Sequence, residues 1–265
     1  MKKLLAACAL LVGSSAAMAA PVVITDTYIG SDDHGYGDVI GAASEFDIQS
    51  MEVDLVGTTM TVTVNTNFGA GNGLGTFPSY TTTTYGQGKG IGFGDLFLSS
   101  TGWDPHGSAP YMADDYTTGT VWDYAISLAD RWNGVSSAAT LYQLHTANGN
   151  TDVLRSEQFV KNAIFRNGQE VAVKTSSAIS LGSVANVLTS GGQVVFSFDI
   201  AGTALEGASA IGLHWAMTCG NDTIEGQFSP VPEPSTLALV LFGFSIMGVA
   251  SVRRRKLHGD PLAQK

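Results

Sequence analysis

Oxygen ligands, aromatic rings and one thiol are the side chains with chemistry to offer. Asp32, Asp33 and Asp38 fall within Asp32-Asp33-His34-Gly35-Tyr36-Gly37-Asp38, a short acidic stretch broken by glycine. Short carboxylates in a flexible loop suit a hard cation such as calcium, with Asp95 or Asp222 as further ligands. The spacing matches neither an EF-hand nor a nonapeptide calcium repeat. The alternative is a turn in which Asp bonds its own backbone. Trp103, Tyr111 and Tyr116 lie in the long segment Ser99–Gly119. They are ligand-loop candidates, since aromatic faces stack on sugar rings, and they equally suit packing the loop down. Cys219 has His214 five residues before it as a candidate base. A buried structural thiol is the favoured reading. With Cys8 inside a leader, Cys219 has no partner for an intrachain disulfide.

Signatures of catalysis are missing. The sequence has no G-x-S-x-G, H-E-x-x-H or phosphate loop. Glu206, Glu225 and several Asp could supply a glycosidase pair, but nothing singles one out. We therefore expect a non-enzymatic protein.

The elements that must hold these residues read as β. Phe46–Leu55 and Met60–Asn65 alternate apolar and polar residues around Gly57, which predicts a hairpin. Val194–Ile200 and Ile211–Met217 alternate too, and Trp122, Tyr124, Ile126 and Leu128 share one face of a strand on this reading. Asn167-Gly168 between Ala163–Arg166 and Gln169–Val173 predicts a second hairpin. Thr151–Asn162 is the one short helix candidate. Phe68–Gly94 reads as a Gly-rich polar loop outside the core, with Gly88–Gly94 as a candidate edge strand. Roughly seven to twelve strands with Gly-rich turns make an all-β fold, a single jelly-roll-like β-sandwich over residues 20–230.

Both flanks of that body carry addresses. Residues 1–19 read as a signal peptide: Lys2 and Lys3, an apolar run from Leu4, then Ala17 and Ala19 as the small-residue site, with the cut before Ala20. This implies passage through the Sec translocon. Leu5-Ala6-Ala7-Cys8 has lipobox letters, but too few apolar residues separate it from Lys3 for lipidation. Leu237–Val252 is uncharged, and about 24 Å long as a helix at roughly 1.5 Å per residue. That makes 237–252 a transmembrane candidate. Arg253, Arg254, Arg255 and Lys256 follow it and would keep the tail 257–265 cytoplasmic, with the body across the inner membrane. Just ahead, Pro232-Glu233-Pro234 is a stiff, extended, charged tripeptide.

The tripeptide, apolar helix and basic block in this order resemble the PEP-CTERM sorting signal of Gram-negative bacteria, over residues 231–256. The resemblance implies recognition of Pro232, Glu233 and Pro234 by an exosortase. It also implies delivery to the cell surface or the exopolysaccharide matrix, with a structural or adhesive role. The tail 257–265 is longer than is usual in that family. A polysaccharide-binding lectin-like protein or a glycoside-active enzyme is the alternative.

Charge argues against a nucleic-acid partner. The whole chain carries 13 Lys+Arg against 23 Asp+Glu. Ala20–Pro230 holds 6 of the basic residues and 21 of the acidic ones, a net −15. Such a body repels nucleic acid and other polyanions and attracts divalent cations.

Overall fold

The computed structural model describes residues 20–230 apart from 32–34, 36, 70, 134–136, 146–150, 162–163 and 191. The expected signal peptide, the sorting segment with its span 237–252, the basic block and the tail lie outside the described residues. Among the described residues, no helix is long and apolar enough to cross a membrane. One compact unit ends at Pro230 and a second begins at Val231.

The described chain is mostly β. Its strands are β1 (Val22–Thr25), β2 (Ile48–Val56), β3 (Thr59–Thr66), β4 (Leu96–Ser99), β5 (Tyr124–Leu128) and β6 (Ser137–Gln143). They continue with β7 (Val153–Arg155), β8 (Glu170–Val173), β9 (Ile179–Ser190), β10 (Gln193–Asp199), β11 (Ile211–Ala216) and β12 (Thr223–Phe228). Two single-turn helices, α1 (Ala43–Phe46) and α2 (Ser156–Phe159), interrupt them. Ten strands form one sheet in the order β1-β2-β3-β10-β9-β6-β5-β4-β11-β12, and β7-β8 is a separate ribbon. The pairings are antiparallel.

Alternation puts one face of this sheet inside. Val53, Met51 and Leu55 of β2 stand opposite Val62, Val64 and Met60 of β3, and Val194, Phe196 and Phe198 of β10 face the same three from the other side. Trp215, Leu213, Leu96, Leu98, Ile126 and Ile224 join them in one core. That core needs a sheet rolled on itself, and β12, last in the order, packs against β1 and β2. At the closure Gly226 runs so near β1 that a Cβ there would sit 2.4 Å from Ile24 Cγ2.

The hairpin at Gly57 forms as the sequence predicts, with Gly57 at φ +60°. Four other expectations give way to packing. Trp122 leaves the face of Tyr124, Ile126 and Leu128 because β5 begins only at Tyr124; it joins Phe97, Ala125, Leu144 and Val173 in a small second core. Asn167-Gly168 joins no hairpin, since β8 pairs with β7, while Phe165 and Arg166 turn fully inward. Phe68, Ile91 and Phe93 of the Gly-rich segment are core residues, and 88–94 contains no strand. Thr151–Asn162 splits into β7 and α2.

Gly94 shows why part of that segment is glycine. A Cβ there would lie 1.8 Å from the Ala216 carbonyl oxygen and 3.1 Å from that of Val171, both backbone atoms that cannot swing aside. Trp215 Nε1 also donates to the Gly94 carbonyl at 3.2 Å. Gly94→Ala should therefore lower unfolding free energy by about 3 kcal/mol. Urea unfolding checks this, and an unchanged midpoint would contradict the close approach.

Candidate functional site

Two clusters of titratable side chains stand out among the described residues, one buried and one with Asp38 exposed, and they differ in how their polar atoms are met. The first lies under the loop 99–119. Cross-strand register sets His214 of β11 between Phe97 of β4 and Glu225 of β12. His214 Nε2 is 2.6 Å from the Glu170 carbonyl, which can only accept, so that nitrogen carries a proton. Nδ1 is 2.9 Å from Glu225 Oε1. Burial opposes a charged imidazole, but the hydrogen bond and charge of Glu225, helped by Glu170, outweigh it, and His214 titrates above its usual range. The rings of Phe97 and Trp122 flank it, with centroids at 5.7 and 5.5 Å.

The carboxyls around it are capped by side chains of the same protein. Trp103 Nε1 donates to Glu225 Oε2 at 2.8 Å, and Trp122 Nε1 donates to Glu170 Oε1 at 3.2 Å. Tyr28 donates to Asp114 Oδ2 at 3.2 Å. Burial pushes Glu170 up to about 7, with the pull of His214 opposed by the charges of Glu225 and Asp114. Burial, then Glu225, pushes Asp114 up to about 6. A carboxyl protonated near neutrality beside an ionised one is an acid–base arrangement. Here the donors that would meet a substrate are already spent on the loop. Glu170, His214 and Glu225 also lie within metal-ligating reach of one another, but both ring nitrogens are engaged.

The ligand-loop candidates belong to this cover. Trp103 meets Tyr111 edge-on at 5.2 Å, and Tyr111 stacks on Tyr28 at 6.0 Å. Tyr116 lies farther along, with the Arg155 guanidinium 4.2 Å from its ring centroid. Cys219 is fully buried, and burial pushes its thiol up to about 12. His214 is turned to Glu170 and Glu225, so it is not the base for Cys219.

The second cluster stands at the closure of the sheet. Asp26 follows β1, Asp222 precedes β12, and Asp38 comes from the loop after Gly37. One carboxylate oxygen from each lies within 4.8 Å of the others. Asp222 is fully buried, and its Oδ2 accepts from Ile48 N at 2.6 Å and its Oδ1 from Thr223 N at 2.8 Å. Asp26 has both oxygens sealed from solvent with no hydrogen-bond partner of normal geometry. Burial first, then the charge of Asp38, raises Asp26; burial, then Asp26, raises Asp222. Asp38 is thus brought beside Asp26 and Asp222. Asp32 and Asp33 lie outside the described residues. Asp95 is instead paired with Arg131 at 3.2 Å. Asp26 was not legible, because nothing marks it locally; only the meeting of the sheet's ends does.

A family model, the PEP-CTERM protein-sorting motif, matches residues 230–256. The chain carries a PEP-CTERM sorting motif. It is an exosortase-sorted exported protein whose precursor is membrane-anchored before processing. The motif starts where the compact body ends, at Pro230. No curated protein and no solved structure matches the chain.

The buried network generates a pH prediction. Glu170 binds its proton more tightly folded, at about 7, than its ordinary 4.5. Its contribution is therefore full below pH 4.5 and is lost as pH rises to 7, a decline on the order of 3 kcal/mol. Glu170→Gln stays neutral and keeps an acceptor for Trp122. Urea unfolding at pH 4.5 and 7.5 should show a shallower decline for the variant than for wild type. Equal declines would contradict a protonated Glu170.

Proposed function

We propose that the body, residues 20–230, works as a non-enzymatic structural or adhesive component of the cell surface or exopolysaccharide matrix. The sorting motif at 230–256 carries this reading, since it delivers the body outside the cytoplasm and is separate from it. Residues 1–19 would open the route through the Sec translocon, and 237–252 with Arg253–Lys256 would hold the precursor in the inner membrane. Pro232, Glu233 and Pro234 are the handle for exosortase. The net −15 of the body favours solubility and contact through divalent cations over binding of polyanions. Replacing Pro232, Glu233 and Pro234 together with Ala should leave full-size precursor in the inner-membrane fraction. Surface protein of normal processed size from that variant would reduce the tripeptide to a linker.

A lectin-like reading draws on one cleft. A hollow of about 340 Å³ is lined by Tyr85 and Trp132 together with Gln87, Lys174, Thr175 and Ser176. Trp132 is held there by its Nε1 bond to the Gly90 carbonyl at 3.0 Å. Rings beside hydroxyl, amide and ammonium groups suit a sugar. On that reading the chain retains the host polysaccharide in a pull-down, and Trp132→Ala loses at least about tenfold in binding, as for one stacking contact. Equal retention by both would place any glycan contact elsewhere.

A further inference from the structure

The Asp26 carboxyl is only partly balanced: burial and the charges of Asp38 and Asp47 raise it, while the Tyr28 backbone and the Arg166 charge pull the other way. Its two oxygens are sealed from solvent and lack hydrogen-bond partners of normal geometry. The carboxylates of Asp38 and Asp222 stand within 4.8 Å, and the charge of Asp47 is felt as well. The cation at hand is Arg166, fully buried. It donates to carbonyls, Nε to Gly220 at 2.9 Å, Nη1 to Ile29 at 2.8 Å, and Nη2 to Gly37 at 2.6 Å and to Asp38, and its charge also favours the ionised forms of Asp26 and Asp38. Asn221, 2% exposed, and Thr223, fully buried, each have a side-chain oxygen with no partner. An isolated buried carboxylate of this kind is costly unless it is protonated or meets a cation.

We infer that Asp26, Asp38 and Asp222 form a binding site for one calcium ion that ties the start of the sheet to its end. The donors are all oxygen, which selects a hard cation over zinc or copper. Each carboxylate brings one oxygen within 4.8 Å of the others, and calcium takes about six to eight ligands, the remainder being water or carbonyl. Magnesium demands stricter octahedral geometry and gives up water reluctantly, so a site assembled from three separate segments favours calcium. The other buried cluster, Glu170–His214–Glu225, shows the contrast: its nitrogens and carboxylates are met by protein groups, and it needs no ion. An exported protein meets far more calcium than a cytosolic one, so the site would fill on arrival and stiffen the body there.

The test uses the full chain in mild detergent, stripped with chelator and titrated with calcium chloride by calorimetry and thermal unfolding. The inference expects one saturable site per chain and a Tm raised by about 5 °C or more in several millimolar calcium. Asp38→Asn, at an exposed position, should weaken binding by about tenfold or more while leaving the calcium-free Tm unchanged. Asp26→Asn removes the unpartnered charge, so it should lose the calcium response while its calcium-free Tm holds or rises. Wild type without heat or Tm shift would overturn the site. So would undiminished binding by Asp38→Asn, or an equal response to magnesium, which marks diffuse screening of an acidic surface.

Discussion

The whole arrangement depends on how the two ends of a ten-stranded sheet are brought together. β12 and β1 pack side by side around the core, and no backbone ladder pairs them among the described residues. An unpaired sheet edge is exposed to unwanted pairing unless something covers it. Two buried polar side chains serve here. Asp222 takes the Ile48 N–H and so fixes the entry of β2 to the entry of β12. Arg166 gathers carbonyls from Ile29, Gly37, Asp38 and Gly220, drawing the loop after β1 onto the turn before β12. Gly226 permits the approach by having no side chain to place against Ile24.

The same closure explains where polar chemistry collects. Hydrophobic residues from nearly every strand fill the inside of the roll, so ionisable groups gather where strands begin or where a loop lies over the outer face. At the seam they are carboxylates facing carboxylates. Under the loop 99–119 they form a network in which indole N–H groups, imidazole and carboxyls satisfy one another. The cluster under the loop is a fastening for it, and at the seam the carboxyls raise one another.

The sorting motif was legible because its meaning is local: two prolines fix a shape, an apolar run sets a span, and adjacent arginines set a side. The all-β class and the Gly57 hairpin were legible for a similar reason, since alternation and one positive-φ turn lie within a few residues of each other. Phe68 and Phe93 were hidden by the glycines around them; each is a single ring inserted into the core from a segment without period. Arg166 was misread as part of a strand because its partners lie more than 50 residues away along the chain, at Gly220 and near Ile29. Glu170 and Asp26 gave no local sign, because their roles exist only once β8 and β12 have found their places. Cys219 was read correctly from composition alone, as a small buried apolar side chain.

Hydrogen exchange at the closure tests this account most directly. The Ile48 amide, bonded to buried Asp222, and the amides of β1 and β12 should exchange only by global unfolding, with protection matching that of β10 at the centre of the sheet. If those amides exchange orders of magnitude faster while β10 stays protected, the roll opens at its seam. The hydrogen bonds of Asp222 and Arg166 would then not be what holds it shut.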